Sequence, residues 1–477
     1  MNVSIRATLS ELIHIDNLSI SAGEMRLVDA LSLTLRQGTP LTILGQTGSG
    51  KSLLAQAIMG LLPESMTVSG SIKVDNTEVL TLSKTEREAL WGPTLAMLPQ
   101  EPWHSLDPIM KSRQQVTEVF QVVNNVPAPQ ARARATEQLT HLGLGQALHR
   151  LPGQLSGGMA QRVAFAAATA AGGRILLADE PTKGLDHNRR DQVVELLQGY
   201  LHQGSVLTIT HDIDVARKLG GELLVMCEGK IVERGNTQNV LTNPQADYTR
   251  QLLAAEPRNW PDTTAPAFKA EKDQVLSADN LGLQRGGKTL FNDLSFSLHA
   301  GEIIGVTGPS GVGKSSLGDV LLGNLKPNAG SVQYANPFTR HRRLKLYQDP
   351  PAAFAPGVPL QRLLDELMRL HRIDPSRVPP LLERLGLMPS LLHRPAESVS
   401  GGELQRIALL RILLLDPVLL FADEPTSRLD LITSQRIMTL LVEVARETEC
   451  GLVIVSHDPE LVEKLCDKTI KLQERQP

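Results

Sequence analysis

The sequence is short of aromatic residues, cysteine, charge of one sign and long apolar runs. Each shortage removes a class of function. Phe, Trp and Tyr together make up 3% of the 477 residues, too few for the stacking platforms that bind single-stranded nucleic acid. Lys and Arg number 48 against 51 Asp and Glu, a net charge of −3. The basic excess of a chain that coats nucleic acid is missing, so no nucleic-acid partner is expected. Cys227, Cys450 and Cys466 stand far apart with no CxxC pair. Neither a disulfide framework nor a zinc or iron–sulfur site is readable, and the three are expected to fill core space. The most apolar stretch, Ile407 to Ala422, is broken by Arg411 and Asp416, whereas a spanning helix needs about 20 apolar residues in a row. The N-terminal residues contain no apolar core of a secretory signal. A soluble, cytoplasmic chain is expected, one that can still dock on a membrane protein. Hydrophobic residues at 41% and charged residues at 21% leave ample material for a core and argue against disorder.

What the chain does have is itself, twice. LTILGQTGSGKSLLAQAIMGLL from Leu41 recurs as IIGVTGPSGVGKSSLGDVLLGNL from Ile303. LSGGMAQRVAFAAA from Leu155 recurs as VSGGELQRIALLRI from Val399, ILLADEPTKGLD from Ile175 as LLFADEPTSRLD from Leu419, and VLTITHD from Val206 as LVIVSHD from Leu452. Four blocks in one order mean two copies of one domain. The stretch from Lys314 to Ser400 is shorter than that from Lys51 to Ser156, mostly before Gln348, so the second copy has a trimmed peripheral region. Residues 257–275 are rich in Pro, Ala and charge without apolar periodicity and read as a linker. The first domain is therefore expected over 1–256 and the second over 276–477.

Within each copy, apolar β-type runs alternate with helical patterns. That alternation predicts an α/β fold with a mainly parallel sheet and helices on its faces. Polar residues directly after the strands fit ligand sites at the strands' carboxyl ends.

Gly45-Gln46-Thr47-Gly48-Ser49-Gly50-Lys51-Ser52 and Gly308-Pro309-Ser310-Gly311-Val312-Gly313-Lys314-Ser315 both match GxxxxGK[ST] between a strand and a helix. Such glycines let backbone N–H groups curl around phosphate oxygens, and the helix N-terminus favours the anion. Lys51 and Lys314 are placed to reach the β- and γ-phosphates, Ser52 and Ser315 to ligate Mg²⁺. ILLADE and LLFADE each end an apolar strand in two acids. Ionised carboxylates are costly to bury, and Mg²⁺ is the expected partner of Asp179 and Asp423. Glu180 and Glu424 are then positioned to orient or deprotonate the attacking water. Helix-capping acids before Pro181 and Pro425 are the alternative.

With Ser156-Gly157-Gly158 and Ser400-Gly401-Gly402 in SGGxxQR, the combination resembles the ATP-binding-cassette ATPases over nearly the whole chain, twice. The resemblance implies tandem P-loop ATPase domains, each with a RecA-like sheet, an antiparallel β-subdomain and a helical subdomain. It implies ATP and Mg²⁺ as the bound species. It also implies that each SGG turn binds the γ-phosphate of ATP held by the other half, so that one chain forms both sites without homodimerising. Gln100 and Gln348 look like the glutamine loop that meets Mg²⁺, water and the transport partner. His211 and His457 resemble the switch histidine at the γ-phosphate, and Asp186 and Asp430 the loop coupling the two sites. One departure stands out: where the family stacks an aromatic residue on adenine, this chain has Ala22 and Arg285.

The segments MLPQEPWHSLDP and QDPPAAFAP, with the tail from Asn243-Pro244 through Tyr248-Thr249-Arg250 to Leu252-Leu253, resemble the oligopeptide, dipeptide and nickel importer ATPases. That implies a motor docked on two inner-membrane permease subunits fed by a separate binding protein, carrying peptide or nickel. The alternative is a soluble twin-cassette ATPase acting with ribosomes, DNA or a cytosolic enzyme complex.

Overall fold

The computed structural model describes residues 10–473, apart from Thr47, Gly184, Asp186, 261–272, Ser310, 336–339, Asp349, Ser427 and Arg428. The chain divides into two compact units, Met1–Leu253 and Ala254–Pro477.

In the first unit a six-stranded sheet runs, edge to edge, through Lys230–Asn236, Glu222–Cys227, Leu41–Gly45, Ser205–Thr210, Ile175–Asp179 and Leu95–Leu98. All neighbours are parallel except the Lys230–Asn236 hairpin arm. Strands Leu41–Gly45, Ile175–Asp179 and Ser205–Thr210 are buried along their whole length, as expected of strands covered on both faces. Asp179 is the last residue of its strand and is itself buried. A four-stranded antiparallel sheet is built on Glu11–Ala22, which pairs with Met25–Arg36 on one side and Met66–Val74 on the other. Its roughly alternating burial marks a sheet with one face on the core.

The second unit repeats this plan in reduced form. Its five-stranded sheet, ordered Arg343–Leu346, Leu419–Asp423, Gly451–Val455, Ile303–Thr307 and Lys468–Lys471, is parallel throughout. Its antiparallel sheet has three strands, centred on Gln274–Arg285. Between strands Met66–Val74 and Leu95–Leu98 the first unit carries the short strand Thr77–Glu78 and the helix Lys84–Leu90, capped by Ser83 and Glu86. Between Ala329–Tyr334 and Arg343–Leu346 the second unit shows a single short helical turn, Arg340–Arg342, among its described residues.

The repeat also compensates volume. Phe421 stands in the second unit where Leu177 stands in the first, each on the strand that ends in the aspartate. The helix facing it has Gly318 in place of Ala55, and a Cβ at Gly318 would overlap the Phe421 ring. The larger side chain fits because the helix surrendered a methyl group.

The segment 257–275 does not behave as a linker along its whole length. Trp260 is 5% exposed within the second unit's core cluster, and its indole N–H donates to the carbonyl of Ala255 at 2.8 Å. Gln274 opens a strand. An indole that finds both apolar cover and a carbonyl partner anchors its stretch of chain, so residues 254–260 belong to the second unit. Of the cysteines, Cys450 fills core space at 2% exposure. Cys227 and Cys466 are half-buried, and all three are free thiols.

Candidate nucleotide site

Each P-loop leaves a buried strand and turns into a helix through glycines in the left-handed region. Gly48 (φ 84°) and Gly50 (φ 95°) do so in the first unit, Gly311 (φ 80°) and Gly313 (φ 108°) in the second. A Cβ on Gly50 would lie 2.8 Å from the carbonyl oxygen of Leu27, and one on Gly313 would lie 2.9 Å from the Cβ of Leu290. Helices Lys51–Met59 and Lys314–Leu321 follow, with these glycines as their N-caps and no side chain over the first-turn N–H groups.

The lysines are 4% and 6% exposed. Lys51 Nζ donates to the carbonyls of Gly45 (2.7 Å) and Gln46 (2.6 Å). Lys314 Nζ donates to those of Gly308 (2.8 Å) and Pro309 (3.0 Å). Two buried ammonium groups thus sit inside their own loops, an arrangement that favours an anion. Thr47 and Ser310, also expected in the loops, lie outside the described residues.

At the carboxyl end of Ile175–Asp179, Asp179 accepts from the Ser52 hydroxyl at 3.2 Å. Burial pushes the Asp179 carboxyl above the usual range, against that hydrogen bond. A carboxylate so disfavoured as an ion calls for a cation. Glu180 follows in the left-handed region (φ 49°), as does Glu424 (φ 49°), a costly conformation for a non-glycine residue that turns the carboxylate out of the strand line. His211 Nδ1 lies 2.7 Å from Glu180 Oε2. Burial opposes charge on His211, but the Glu180 hydrogen bond and charge outweigh it and raise its pKa. Burial likewise opposes the Glu180 charge, yet the His211 hydrogen bond and charge prevail and lower its pKa.

The second unit brings the same residues together. His457 Nε2 pairs with Glu424 Oε1, and Gln348 donates to Glu424 Oε2 at 2.6 Å. Gln100 is exposed after the corresponding strand in the first unit. Asp212 and Asp458, next to the histidines, cap the following helices, which fixes each histidine at a strand-to-helix corner.

Ser156 and Ser400 are exposed N-caps of Gly157–Thr169 and Gly401–Leu413. Glu403 completes a capping box with Ser400, whereas Met159 occupies that place in the first unit and cannot. Asp430 caps Leu431–Glu447, and Asp186 lies outside the described residues. Ala22 is exposed and pairs with Met25 and Met66, and Arg285 pairs with Lys288.

Three contacts were not visible in the motifs. Gln161, 3% exposed, donates to the carbonyl of Pro181 at 2.9 Å, tying helix Gly157–Thr169 to the Glu180 turn. The Gln46 N–H donates to the Tyr248 hydroxyl at 3.1 Å, so the tail reaches the P-loop. Lys345 Nζ lies 3.6 Å from Asp423 Oδ2; among the basic residues before Gln348 nothing in the sequence singles it out.

The residues fit a metal-bound nucleotide. The loops are cradles that a Cβ would fill, the lysines face inward, and a buried aspartate follows. No group of three His, Cys, Asp or Glu side chains among the described residues could hold a metal ion, so a divalent ion at Asp179 would complete its oxygen shell from phosphate and water.

A model of the family described as "ABC transporter" matches residues 28–183 and 291–427, once per unit. The chain belongs to the ABC transporter family. As a twin-cassette ATPase of that family it binds and hydrolyses ATP. It is 34% identical to the peptidoglycan transport ATP-binding protein YejF of Agrobacterium fabrum, over 94% of this chain and 87% of that one. It is 32% identical to the glutathione import ATP-binding protein GsiA of Escherichia coli, over 91% of this chain and 80% of that one. Among solved structures, the RNase-L inhibitor matches with a TM-score of 0.66 at 22% identity, covering 93% of this chain and 85% of that one. This likeness shows the shared fold of two tandem cassettes.

Proposed function

We propose that this ABC ATPase is the motor of a bacterial importer of the peptide type. In this reading it works on the cytoplasmic face of the inner membrane with two permease subunits and a separate solute-binding protein. The observation that carries the reading is the glutamate–histidine pair beside a P-loop and a buried aspartate in both units. Two competent hydrolytic sites suit a motor. No helix among the described residues is long and apolar enough to cross a membrane, so the permeation path is assigned to other chains. A peptide cargo, rather than the nickel the sequence also admits, rests on relatives named for peptidoglycan transport and glutathione import.

In the reaction, Ser52 and Asp179, and Ser315 and Asp423, would hold Mg²⁺ with Gln100 or Gln348 nearby. When bound, Mg²⁺ draws electron density from the β- and γ-phosphate oxygens. The lysine N–H groups move from their own loop carbonyls to those oxygens. Glu180, kept ionised by His211, orients the attacking water and receives its proton. His211, whose pKa the Glu180 carboxylate raises, would offer its ring to the charge that develops on the γ-phosphate. In the second unit Glu424, paired with His457 and Gln348, stands where it would orient the water, and Ser156 and Ser400 offer their helix N-termini to phosphate.

A groove of about 520 Å³ opens beside the Gln100 segment in the first unit, lined by Met59, Met97, Leu106, Met110 and Glu118 among others. One of about 510 Å³ opens beside the Gln348 segment in the second, lined by Tyr347, Leu367, Ala408 and Arg411 among others. Each is read as the seat of a short permease helix. The test is to extract the intact protein from solubilised membranes and identify what accompanies it. Two polytopic permeases support import. Ribosomal, DNA-repair or exclusively cytosolic partners overturn it. Transport with the reconstituted partners then names the cargo.

A further inference from the structure

The edge strands beside the two P-loop sites differ at one buried position. Strand Leu95–Leu98 places Met97 opposite Leu177, two residues before Asp179. Strand Arg343–Leu346 places Lys345 opposite Phe421, two residues before Asp423. The positions are equivalent, yet one side chain is neutral and the other cationic. The Lys345 side chain is 7% exposed, and its ammonium stands 3.0 Å from Asp319 Oδ1 and 3.6 Å from Asp423 Oδ2. It also lies 3.3 Å from the carbonyl oxygen of Ser315. Asp319 belongs to the P-loop helix Lys314–Leu321, and the first unit has Gln56 at the matching turn.

We infer that Lys345 is a resident counter-cation of Asp423 and makes the second site a weaker binder of divalent metal than the first. A buried ammonium needs compensating charge, and Lys345 draws it from Asp319 and from the aspartate that would ligate the metal. A divalent ion arriving at Asp423 must share that carboxylate and meet a like charge a few ångströms away, where salt screens little. In the first unit the direct partner of Asp179 is the neutral Ser52 hydroxyl, while Lys51 and Lys183 act on it only through space. The inference rests on the ATP·Mg²⁺ reading of both sites. It deepens that reading by ranking them.

The test is a Mn²⁺ titration of the full chain with a non-hydrolysable ATP analogue, following free Mn²⁺ by electron paramagnetic resonance. Two classes of nucleotide-dependent site are expected, differing by roughly tenfold or more. Lys345→Met should merge them into one tight class. The reciprocal Met97→Lys should merge them into one weak class, and it carries the test should Lys345→Met fail to fold. One class in the parent chain, or a weak class that survives in Lys345→Met, overturns the inference. Mn²⁺ binding that ignores the nucleotide overturns it together with the reading beneath it.

Discussion

Glu180 and His211 are joined side chain to side chain at 2.7 Å through Nδ1, and Glu424 and His457 are paired through the other ring nitrogen, Nε2, in the other unit. The carboxylate that would handle the water and the imidazole that would face the γ-phosphate form one hydrogen-bonded pair. Removing the carboxylate charge while keeping its shape tests the assignment. Glu180→Gln with Glu424→Gln should retain ATP binding and lose turnover by roughly 10²–10⁴-fold. Hydrolysis at the parental rate, measured as phosphate release, would mean that other carboxylates do the work.

The same pair carries a pH signature. His211 has a pKa raised above its ordinary value, so its contribution to stability is complete below about pH 6.5 and lost as pH rises through the raised value. Glu180 has a lowered pKa, so its contribution is complete above about pH 4.5 and lost as pH falls through the lowered value. Together they stabilise the first unit most between those limits. Denaturant midpoints compared with His211→Asn should show the variant's deficit shrinking above about pH 6.5. A deficit independent of pH would sink the ion pair.

Gly318 and Phe421 form a lock. Gly318→Ala should destabilise the second unit by about 1–3 kcal/mol, the usual scale for overpacking a filled core. Adding Phe421→Leu, which restores the first unit's Ala and Leu combination, should return most of it. Urea unfolding of the two variants measures both numbers, and failure of the second change to rescue the first would show that the ring is not the obstacle.

Adenine stacking has a candidate substitute in the first unit. Met25 is 62% exposed and lies across the strand pair from Ala22, with Met66 on the other side. Thioethers make favourable contacts with aromatic rings of about 0.3–1.5 kcal/mol. With the second site silenced by Lys314→Ala, Met25→Ala should weaken binding of a fluorescent ATP analogue by up to about tenfold. Unchanged binding would place the base elsewhere.

Much of this protein could be read from one dimension. Duplication, both P-loops, the paired acids and the histidines are local patterns in strands and turns, where a few consecutive residues dictate the backbone. The short second copy was legible too, since a deletion needs only a count along the chain. Its content, the strand Thr77–Glu78 and the helix Lys84–Leu90, needed the fold. At the start of the segment composition and packing part: Pro257–Trp260 reads as linker along the chain, while packing seats Trp260 in the second core.

By itself the sequence determined two cassettes, the chemistry of their loops and the absence of a long apolar run. Those properties follow from short-range steric and hydrophobic rules acting on contiguous residues. Only the tertiary structure decided which distant side chains meet. It set Gln161 on Pro181, Tyr248 on Gln46 and Lys345 on Asp423. In the last case a residue from the edge strand is brought to the aspartate of its neighbour, because parallel pairing holds their carboxyl ends level and so places a buried ammonium beside one aspartate and a thioether strand position beside the other.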